Sequence, residues 1–294
     1  MNLESFYDKH YKKLLVVPLL LLALSVGYLI YFSAKNGDLF RKDVSLQGGV
    51  SATFYVDSEV PIEELQYYLE NSLGSSDILV RKLAEVEGSK NGYVTEVSNI
   101  AFEPLKNALE EKFRVEFTDE NFFVEETGSR VGEGFYKDMI RALVFSFVFM
   151  GIVIFIIYRT FVPSLAVIAA AFFDIVGTIA IINLFGMHVS SAGLAAIILL
   201  VGYSVDTDVL LTTRMLRRRE GRIWERIRSS MATGLTMTLT TIAAMIVGIL
   251  FSPSEIFKEM FTIILIGLVI DIIATYAMNA AILKLYLVKK YHEN

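Results

Sequence analysis

Four aspartates stand within segments that are otherwise long and apolar: Asp174, Asp206, Asp208 and Asp271. An ionised side chain at the centre of a bilayer costs roughly 2.5–3.5 kcal/mol on insertion scales, so acids in such segments are rare. Where they occur, they mark ion paths and proton relays. The residue types therefore predict a membrane protein that responds to an ion gradient, with these four aspartates as candidate ion-relay residues.

Asp206 and Asp208 are close in sequence but are expected to point in different directions. At 100° per residue their side chains lie about 200° apart around a helix axis, so they cannot share one face. We expect Asp206, the deeper of the two, to face the interior of the bundle. A competing interpretation is that the acids pair with hydroxyl groups and only fix the geometry of the bundle. The following span supplies such hydroxyls at Thr236, Thr238, Thr240 and Thr241.

The composition places these acids in a membrane protein. Of the 294 residues 54% are hydrophobic and the mean hydropathy is +0.53, whereas soluble domains are roughly 45–50% apolar. Six apolar runs have the length that a spanning helix needs. They are residues 14–32, 139–158, 162–185, 189–212, 231–251 and 260–288. The chain has no cysteine, which excludes disulfides and thiolate metal sites, and no motif predicts a catalytic residue, a metal or a cofactor.

Residues 33–138 differ in composition from the spans and predict a folded domain outside the bilayer. Acids outnumber bases roughly two to one in this segment. Apolar periodicity assigns four strands and two helices. The strands are predicted at 44–56, 78–86, 93–97 and 122–126, and the helices at 61–73 and 103–113. This order is that of a ferredoxin-like split βαβ unit. The predicted fold is therefore an α-helical polytopic membrane protein of six helices, with an α+β ferredoxin-like extracytoplasmic domain between helices 1 and 2.

The distribution of basic residues predicts the orientation in the membrane. They concentrate in segment 1–13, in the loop 213–230 and in the tail 289–294, which six spans place on one side. By the positive-inside rule this side is the cytoplasm, so both termini of this multi-pass plasma-membrane protein are expected there. The loop suits anionic headgroups of membrane lipids. It has a single aromatic residue, Trp224, so no nucleic-acid role is predicted.

Three segments of the chain together resemble one known family. They are LQGGV with Gly48 and Gly49, FFDIVGT with Asp174, and VGYSVDTDVLL with Gly202, Tyr203 and Ser204. With one helix, an outer domain and five further helices, the chain resembles the SecF branch of the SecD/SecF protein-export family, within the resistance–nodulation–division superfamily. The resemblance implies a complex with SecD at the SecY translocon. There the outer domain would act on translocating polypeptide, driven by the proton or sodium gradient.

The chain departs from the bacterial pattern of that family around its acids. Bacterial SecF carries an aspartate at the position of Thr207, whereas this chain flanks Thr207 with Asp206 and Asp208. Asp206 matches the position of the acid in SecD. The family arginine at the start of the fifth helix has its nearest equivalents in Arg228 and then Arg226, which join the candidate relay residues. These departures indicate an archaeal-type member.

Three other functions are left open by the sequence. One is half of a small-molecule or lipid exporter of the same superfamily, and another is a translocon scaffold that uses no ion gradient. A third is an intramembrane aspartyl protease with Asp174 and Asp206 as its dyad. The chain lacks the Gly-x-Gly-Asp and Pro-Ala-Leu segments of such proteases, so the prediction is that it is not an enzyme.

Overall fold

The structure, a computed structural model, describes residues 3–74, 78–83, 91–98, 100–118, 121–217, 222–252 and 254–292. The chain begins with α1 (Leu3–Asn36), β1 (Arg41–Lys42), α2 (Val44–Gln47), β2 (Gly49–Val56), α3 (Ile62–Leu73), β3 (Ile78–Lys82), β4 (Asn91–Ser98), α4 (Phe102–Phe113) and β5 (Phe122–Thr127). It continues with α5 (Ser129–Tyr158), α6 (Phe161–Leu184), β6 (His188–Val189), α7 (Ser191–Arg217), α8 (Ile223–Phe251), α9 (Glu255–Ile273), a π-helical turn (Ala274–Asn279) and α10 (Ala280–His292).

Six helical segments in the described part of the chain are long and apolar enough to cross a membrane. They are α1, α5, α6, α7, α8 and the continuous run from α9 through the π-helical turn to α10. Helices suit these runs because every backbone polar group in hydrocarbon must be satisfied within the segment. The protein is thus a polytopic membrane protein, as predicted. The last predicted span differs from expectation in one respect, since it is interrupted by the π-helical turn.

The six spans divide into a central and a peripheral set. In the most apolar stretch of α6, 72% of the residues are buried inside the protein. The corresponding share is 50% in α7, 11% in α1 and α8, and 6% in α5. α6, α7 and α9 pack against one another and form the centre of the bundle. The apolar outer faces of α1, α5 and α8 are left for lipid or for another protein.

The segment between α1 and α5 forms a four-stranded sheet with two helices on one face. The strand order is β3-β4-β2-β5 and all neighbours are antiparallel. Alternate residues of β2, such as Phe54, point into a core formed with α3 and α4, in which Leu65 and Leu105 are fully buried. The other face of β2 carries Ser51 and Thr53, which are half-buried. This polar second face is turned toward the membrane bundle.

The predicted strand 44–56 is wrong over its first five residues. Asp43 caps a short helix, α2, by accepting a hydrogen bond from the Ser45 amide at 2.9 Å. Gly48 ends that helix with φ +83° and Gly49 begins β2 with φ +147°. A Cβ added at Gly49 would collide with the carbonyl oxygen of Val97. The Gly-Gly pair is therefore required by backbone geometry. Of the predicted strand 78–86, residues 84–86 lie outside the described residues.

The domain formed by this sheet and its helices lies outside the helix bundle, and we call it the outer domain for this reason alone. It is tied to the bundle next to the turn between α6 and α7. β1 pairs in parallel with β6 across Arg41 and His188, and Asn183 Nδ2 donates to the carbonyl of Leu39 at 2.8 Å. Gly186 has φ +69°, a left-handed conformation that glycine adopts readily, and lies in the turn between α6 and β6. These contacts hold one face of the sheet against the first turns of α7 and α9.

Candidate functional site

Three of the four predicted acids converge at the centre of the bundle. Asp174 comes from α6, Asp208 from α7 and Asp271 from α9, and their exposed fractions are 1%, 0% and 0%. Each helix is apolar around its acid, so packing α6, α7 and α9 together brings the carboxyl groups within electrostatic range of one another. We call these three residues the carboxyl cluster.

Asp174 is held by the serine of the Gly-Tyr-Ser segment. The hydroxyl of Ser204, on α7, donates a hydrogen bond to Asp174 Oδ2. The second oxygen, Oδ1, is buried and has no hydrogen-bond partner among the described residues. Ser204 itself is fully buried. The segment that carries the family resemblance thus reaches the cluster through its serine.

Asp271 is surrounded by threonine hydroxyls. Thr207 Oγ1 lies 3.1 Å from both carboxyl oxygens of Asp271 and 2.8 Å from the Ser204 carbonyl, and Thr275 Oγ1 donates to Asp271 Oδ1 at 3.1 Å. A threonine hydroxyl has one proton to donate. With Asp271 ionised, Thr207 can donate to it. With Asp271 protonated, the carboxyl group can donate to Thr207, whose own proton then turns to the Ser204 carbonyl. The site therefore accommodates both protonation states.

Asp208 pairs with an amide across the bundle. Asn279 Nδ2 donates to Asp208 Oδ1 at 2.7 Å, while Asp208 Oδ2 has no partner among the described residues. Asn279 ends the π-helical turn that begins directly after α9. In a regular α-helix it would lie about 80° around the axis from Asp271. The wider π-helical turn reduces this angle, and π-helical turns are frequent at functional sites.

The cluster has no positively charged partner in the described part of the chain. Among the described residues, its hydrogen bonds come from Ser204, Thr207, Thr275 and Asn279. Three ionised carboxylates without a cation would be very costly in a region of low dielectric constant. The cluster must therefore hold protons or bind a cation when it is closed to water. Among the described residues, no group of three acidic or histidine side chains is placed to hold a metal ion.

Asp206 does not belong to the cluster, and the expectation that it faces the interior is wrong. Its side chain is exposed on α7, whereas Asp208 is fully buried. The two side chains point in different directions, as predicted, but Asp208 faces the interior instead of Asp206. Asp206 and Asp208 are two residues apart on α7. The packing of α7 against α6 and α9 decides which of the two side chains faces the interior.

The two candidate arginines lie away from the carboxyl cluster. Arg226 is buried and its Nη1 donates to the Met215 carbonyl at 3.1 Å. Met215 follows Asp208 by seven residues, or about 10 Å along α7. Arg228 is exposed. Neither arginine is hydrogen-bonded to a cluster carboxyl group in the described residues, so the structure brings the predicted acids together without the predicted bases.

The hydroxyls proposed as alternative partners on α8 are also not used by the cluster. Thr236, Thr240 and Thr241 bond to carbonyls of their own helix, and Thr238 is buried without a partner among the described residues. The partners actually used were not identified from the sequence. Thr275 is four residues from Asp271, a spacing that places both on one helix face, and this signal could have revealed it. Asn279 could not be found in this way because of the π-helical turn.

Small residues allow the helices to come close around the cluster. A Cβ added at Gly177 of α6 would lie 3.2 Å from the side chain of Ile270 on α9, and one added at Gly267 of α9 would collide with Leu200 of α7. Membrane helices lack a hydrophobic force between them and rely on such close contact. These two glycines therefore set the distance at which α6, α7 and α9 hold the carboxyl groups.

Comparison with known proteins places this bundle in a family. The family model for the C-terminal part of the protein export membrane proteins SecD and SecF matches residues 106–289. Protein-export membrane protein SecF of Pyrococcus furiosus is 32% identical over 98% of this chain and 95% of its own length. The SecF protein of Methanocaldococcus jannaschii is 35% identical over 95% of this chain and 96% of its own length. Both relatives are archaeal, in agreement with the predicted type.

Solved structures show the same fold. The crystal structure of SecDF from Thermus thermophilus, described as a translocon-associated membrane protein, superposes with a TM-score of 0.74 at 17% identity. It covers 97% of this chain, which spans 38% of the SecDF chain. SecDF in its super-membrane-facing form superposes with a TM-score of 0.63. Given the matches to the family model and to full-length relatives, this chain belongs to the SecF family of protein-export membrane proteins.

Proposed function

We propose that the protein acts with SecD at the SecY translocon and uses the proton or sodium gradient to promote protein export. The observation that supports this most is the carboxyl cluster. Its three acids lie on three different helices, are fully buried and have hydroxyl and amide partners instead of cations in the described residues. A polar contact that only holds helices together does not need three carboxyl groups without a cationic partner. A site that takes up and releases an ion within the membrane does need such groups.

Hydrogen bonds tie the members of the cluster to one another. Ser204 donates its hydroxyl to Asp174 and accepts from Thr207 at its carbonyl, and Thr207 also bonds to Asp271. Asp208 has one carboxyl oxygen without a hydrogen-bond partner among the described residues. We infer that Asp174, Asp271 and Asp208 share the transported proton or sodium ion, and that Arg226 and Arg228 act elsewhere.

We further propose that residues 33–138 form an extracytoplasmic domain of the ferredoxin-like class. The order of its elements, β2-α3-β3-β4-α4-β5, and its antiparallel strand order β3-β4-β2-β5 support this class. The basic segments 1–13, 213–230 and 289–294 support cytoplasmic termini. In this orientation the domain stands where an exported polypeptide emerges.

A stripe on α7 supports the position of the partner subunit. Leu199, Gly202, Tyr203 and Asp206 are all exposed and follow the i, i+3, i+4, i+7 spacing of one helix face. Nothing lies within 4 Å of a Cβ added at Gly202. An acid and a glycine on a face turned toward hydrocarbon are unfavourable unless another helix covers them. We propose that SecD covers this stripe, with a polar or basic group opposite Asp206.

The neighbouring helix supports the same surface. On α8, Thr233, Thr236 and Thr240 are exposed at helical spacing, and their hydroxyls bond to carbonyls of their own helix. Small and hydroxyl-bearing residues are typical of helix interfaces in membranes. The exposed faces of α7 and α8 would then form one continuous contact with SecD.

The test is secretion of a reporter protein in cells that are depleted of the native chain and complemented with variants. Asp208→Asn and Asp271→Asn keep the shape of the side chain and remove its charge, and Asp138→Asn is the matched control on the exposed start of α5. We expect both cluster variants to abolish secretion while SecD is still recovered with them. Secretion should persist in the control.

The alternative functions predict other results. Normal secretion with both cluster variants, together with loss on truncation, would identify a translocon scaffold that uses no gradient. Peptide cleavage that needs Asp174 would support a protease, and ion-dependent extrusion of a small molecule with normal secretion would support an exporter. Dependence of secretion on external sodium, compared with an uncoupler of the proton gradient, would identify the coupling ion.

A further inference from the structure

A cavity of about 390 Å³ lies between the outer domain and the bundle. Its roof is the second face of the sheet, with the hydroxyls of Ser51 and Thr53 and the ring of Tyr55, all on β2. Its floor is the outer end of α7 and α9, with Ser191 and Glu259. The alternation of β2 produces this roof, since the residues between these three fill the core of the domain.

The cavity is strongly acidic. Five carboxyl groups and one guanidinium group line it. They are those of Asp43, Glu96, Glu125, Glu255 and Glu259, with Arg81. Arg81 pairs with Glu96 and Lys258 pairs with Glu255 at 2.7 Å. The acids therefore exceed the bases even after both ion pairs are counted, so the interior favours a positively charged ligand.

One acid in the cavity is buried with an oxygen that the protein does not satisfy. Glu96 is 8% exposed, Arg81 bonds to its Oε1, and its Oε2 has no partner among the described residues. A buried carboxylate oxygen without a donor destabilises the folded state. Burial raises the pKa of Glu96 to about 7, Arg81 opposes this effect, and the nearby Asp43 and Glu259 add to it. A ligand that donates a hydrogen bond here would satisfy the orphan oxygen.

We propose that this cavity binds an organic cation with a primary ammonium or guanidinium group, held by Glu96 and Glu259. An ammonium group supplies three donors, enough for Glu96 Oε2 and for hydroxyls of the roof, and the face of Tyr55 can add a cation–π contact. A bare metal ion fits less well, because no group of three acidic or histidine side chains is placed for one in the described residues. The binding site is separate from the carboxyl cluster and does not depend on ion coupling.

Two sources can supply this chemistry: a free polyamine, or a lysine or arginine side chain of a polypeptide. The experiment uses the full-length protein in lipid nanodiscs and isothermal titration calorimetry. Spermidine is one probe, a capped tripeptide with a central lysine is the second, and the same tripeptide with norleucine is the uncharged comparison. We expect at least one of the two cationic probes to bind at about pH 8, where Glu96 is ionised, and the norleucine peptide not to bind.

Variants locate the binding. Glu96→Gln and Glu259→Gln are expected to weaken it by about tenfold or more, whereas Glu111→Gln, on the exposed face of α4, should leave it unchanged. Binding should also weaken below about pH 6 as Glu96 takes up a proton. Asp43, Arg81 and Glu259 face Glu96, and Lys42 and His188 line a small space beside it. Ser51→Trp fills the cavity without changing its charge and should abolish binding, so the test does not depend on the folding of Glu96→Gln.

The outcomes decide between the proposal and its failure. Binding of spermidine alone identifies a free polyamine, binding of the lysine peptide alone identifies a polypeptide side chain, and binding of both shows that the cavity recognises the charged group. The proposal is overturned if neither cationic probe binds, if the norleucine peptide binds equally, or if Ser51→Trp binds as the wild type does. Equal weakening by Glu111→Gln would also overturn it, since only general surface charge would then be involved.

Discussion

Buried acids occur in two regions of this protein, and their surroundings differ. In the outer domain Glu96 has a guanidinium partner, Arg81. In the bundle Asp174, Asp208 and Asp271 have hydroxyl and amide partners and no cation in the described residues. A fixed cation favours the ionised form of a carboxyl group, whereas a hydroxyl can donate to the ionised form or accept from the protonated form. The carboxyl cluster can therefore accommodate either protonation state, whereas Glu96 keeps a positive charge beside it in both of its states.

The largest expected effect concerns the ion pair of the outer domain. Arg81→Met leaves Glu96 buried without its partner, which should cost about 3 kcal/mol of stability. Lys112→Met breaks the exposed pair with Glu64 in the same domain and should cost less than about 1 kcal/mol. The measurement is hydrogen exchange of the sheet amides in the full-length protein. Equal losses in both variants would remove the distinction between this pair and an ordinary surface pair.

The pH dependence of the outer domain should reflect Glu96. Burial raises its folded-state pKa from 4.5 to about 7, so between these values the folded state keeps a proton that the unfolded state has lost. The contribution of Glu96 to stability is therefore full below about pH 4.5, falls by up to about 3 kcal/mol as the pH rises to about 7, and is level above.

Glu96→Gln isolates this contribution from that of other carboxyl groups. Exposed Glu59, for example, has its pKa lowered by Lys82 and changes stability in the opposite direction. The free energy of unfolding of wild type minus variant should decrease from acid to neutral pH. If this difference rises with pH, the carboxyl group is instead stabilised in its ionised form by Arg81.

A smaller effect on stability is expected in the membrane region. Thr207→Val removes the hydroxyl between α7 and α9 and should cost about 0.6 kcal/mol, the average for hydrogen bonds between membrane helices. Secretion should nevertheless fall severalfold, because Thr207 connects Ser204 to Asp271. Thr241→Val is the control, since its hydroxyl bonds to the Met237 carbonyl of its own helix. Normal secretion with Thr207→Val would exclude this hydroxyl from the ion path.

The smallest effect is expected at the exposed acid. Asp206→Asn should change the stability of the isolated chain by less than about 0.5 kcal/mol, because its side chain is exposed. Recovery of SecD with the chain should decrease if SecD covers this stripe. Should Asp206→Asn instead abolish secretion while SecD is still recovered, as expected of Asp208→Asn, the contrast between the two aspartates would be lost.

Local physical chemistry made much of this protein predictable from its sequence. Long apolar runs must be helices in lipid, so the six spans could be predicted. The spacing of apolar residues and the positions of turn residues predicted the strands and helices of the outer domain. The four intramembrane acids were found because charge is rare in such runs. The start of β2 was predicted wrongly because residues 44–47 alternate as a strand would but form a short helix. Asp43 caps this helix and Gly48 ends it with a positive φ.

Tertiary structure alone decided which acids form a site. Asp206 and Asp208 are the same residue type two positions apart, and the packing of α7 on α6 and α9 turned Asp208 inward. The same packing places Thr207 beside Asp271 and, through the π-helical turn, Asn279 beside Asp208. The acidic cavity combines a strand face with helix ends far away in the sequence. Periodicity states which residues share a face of one element, but which faces meet depends on close packing of the whole chain.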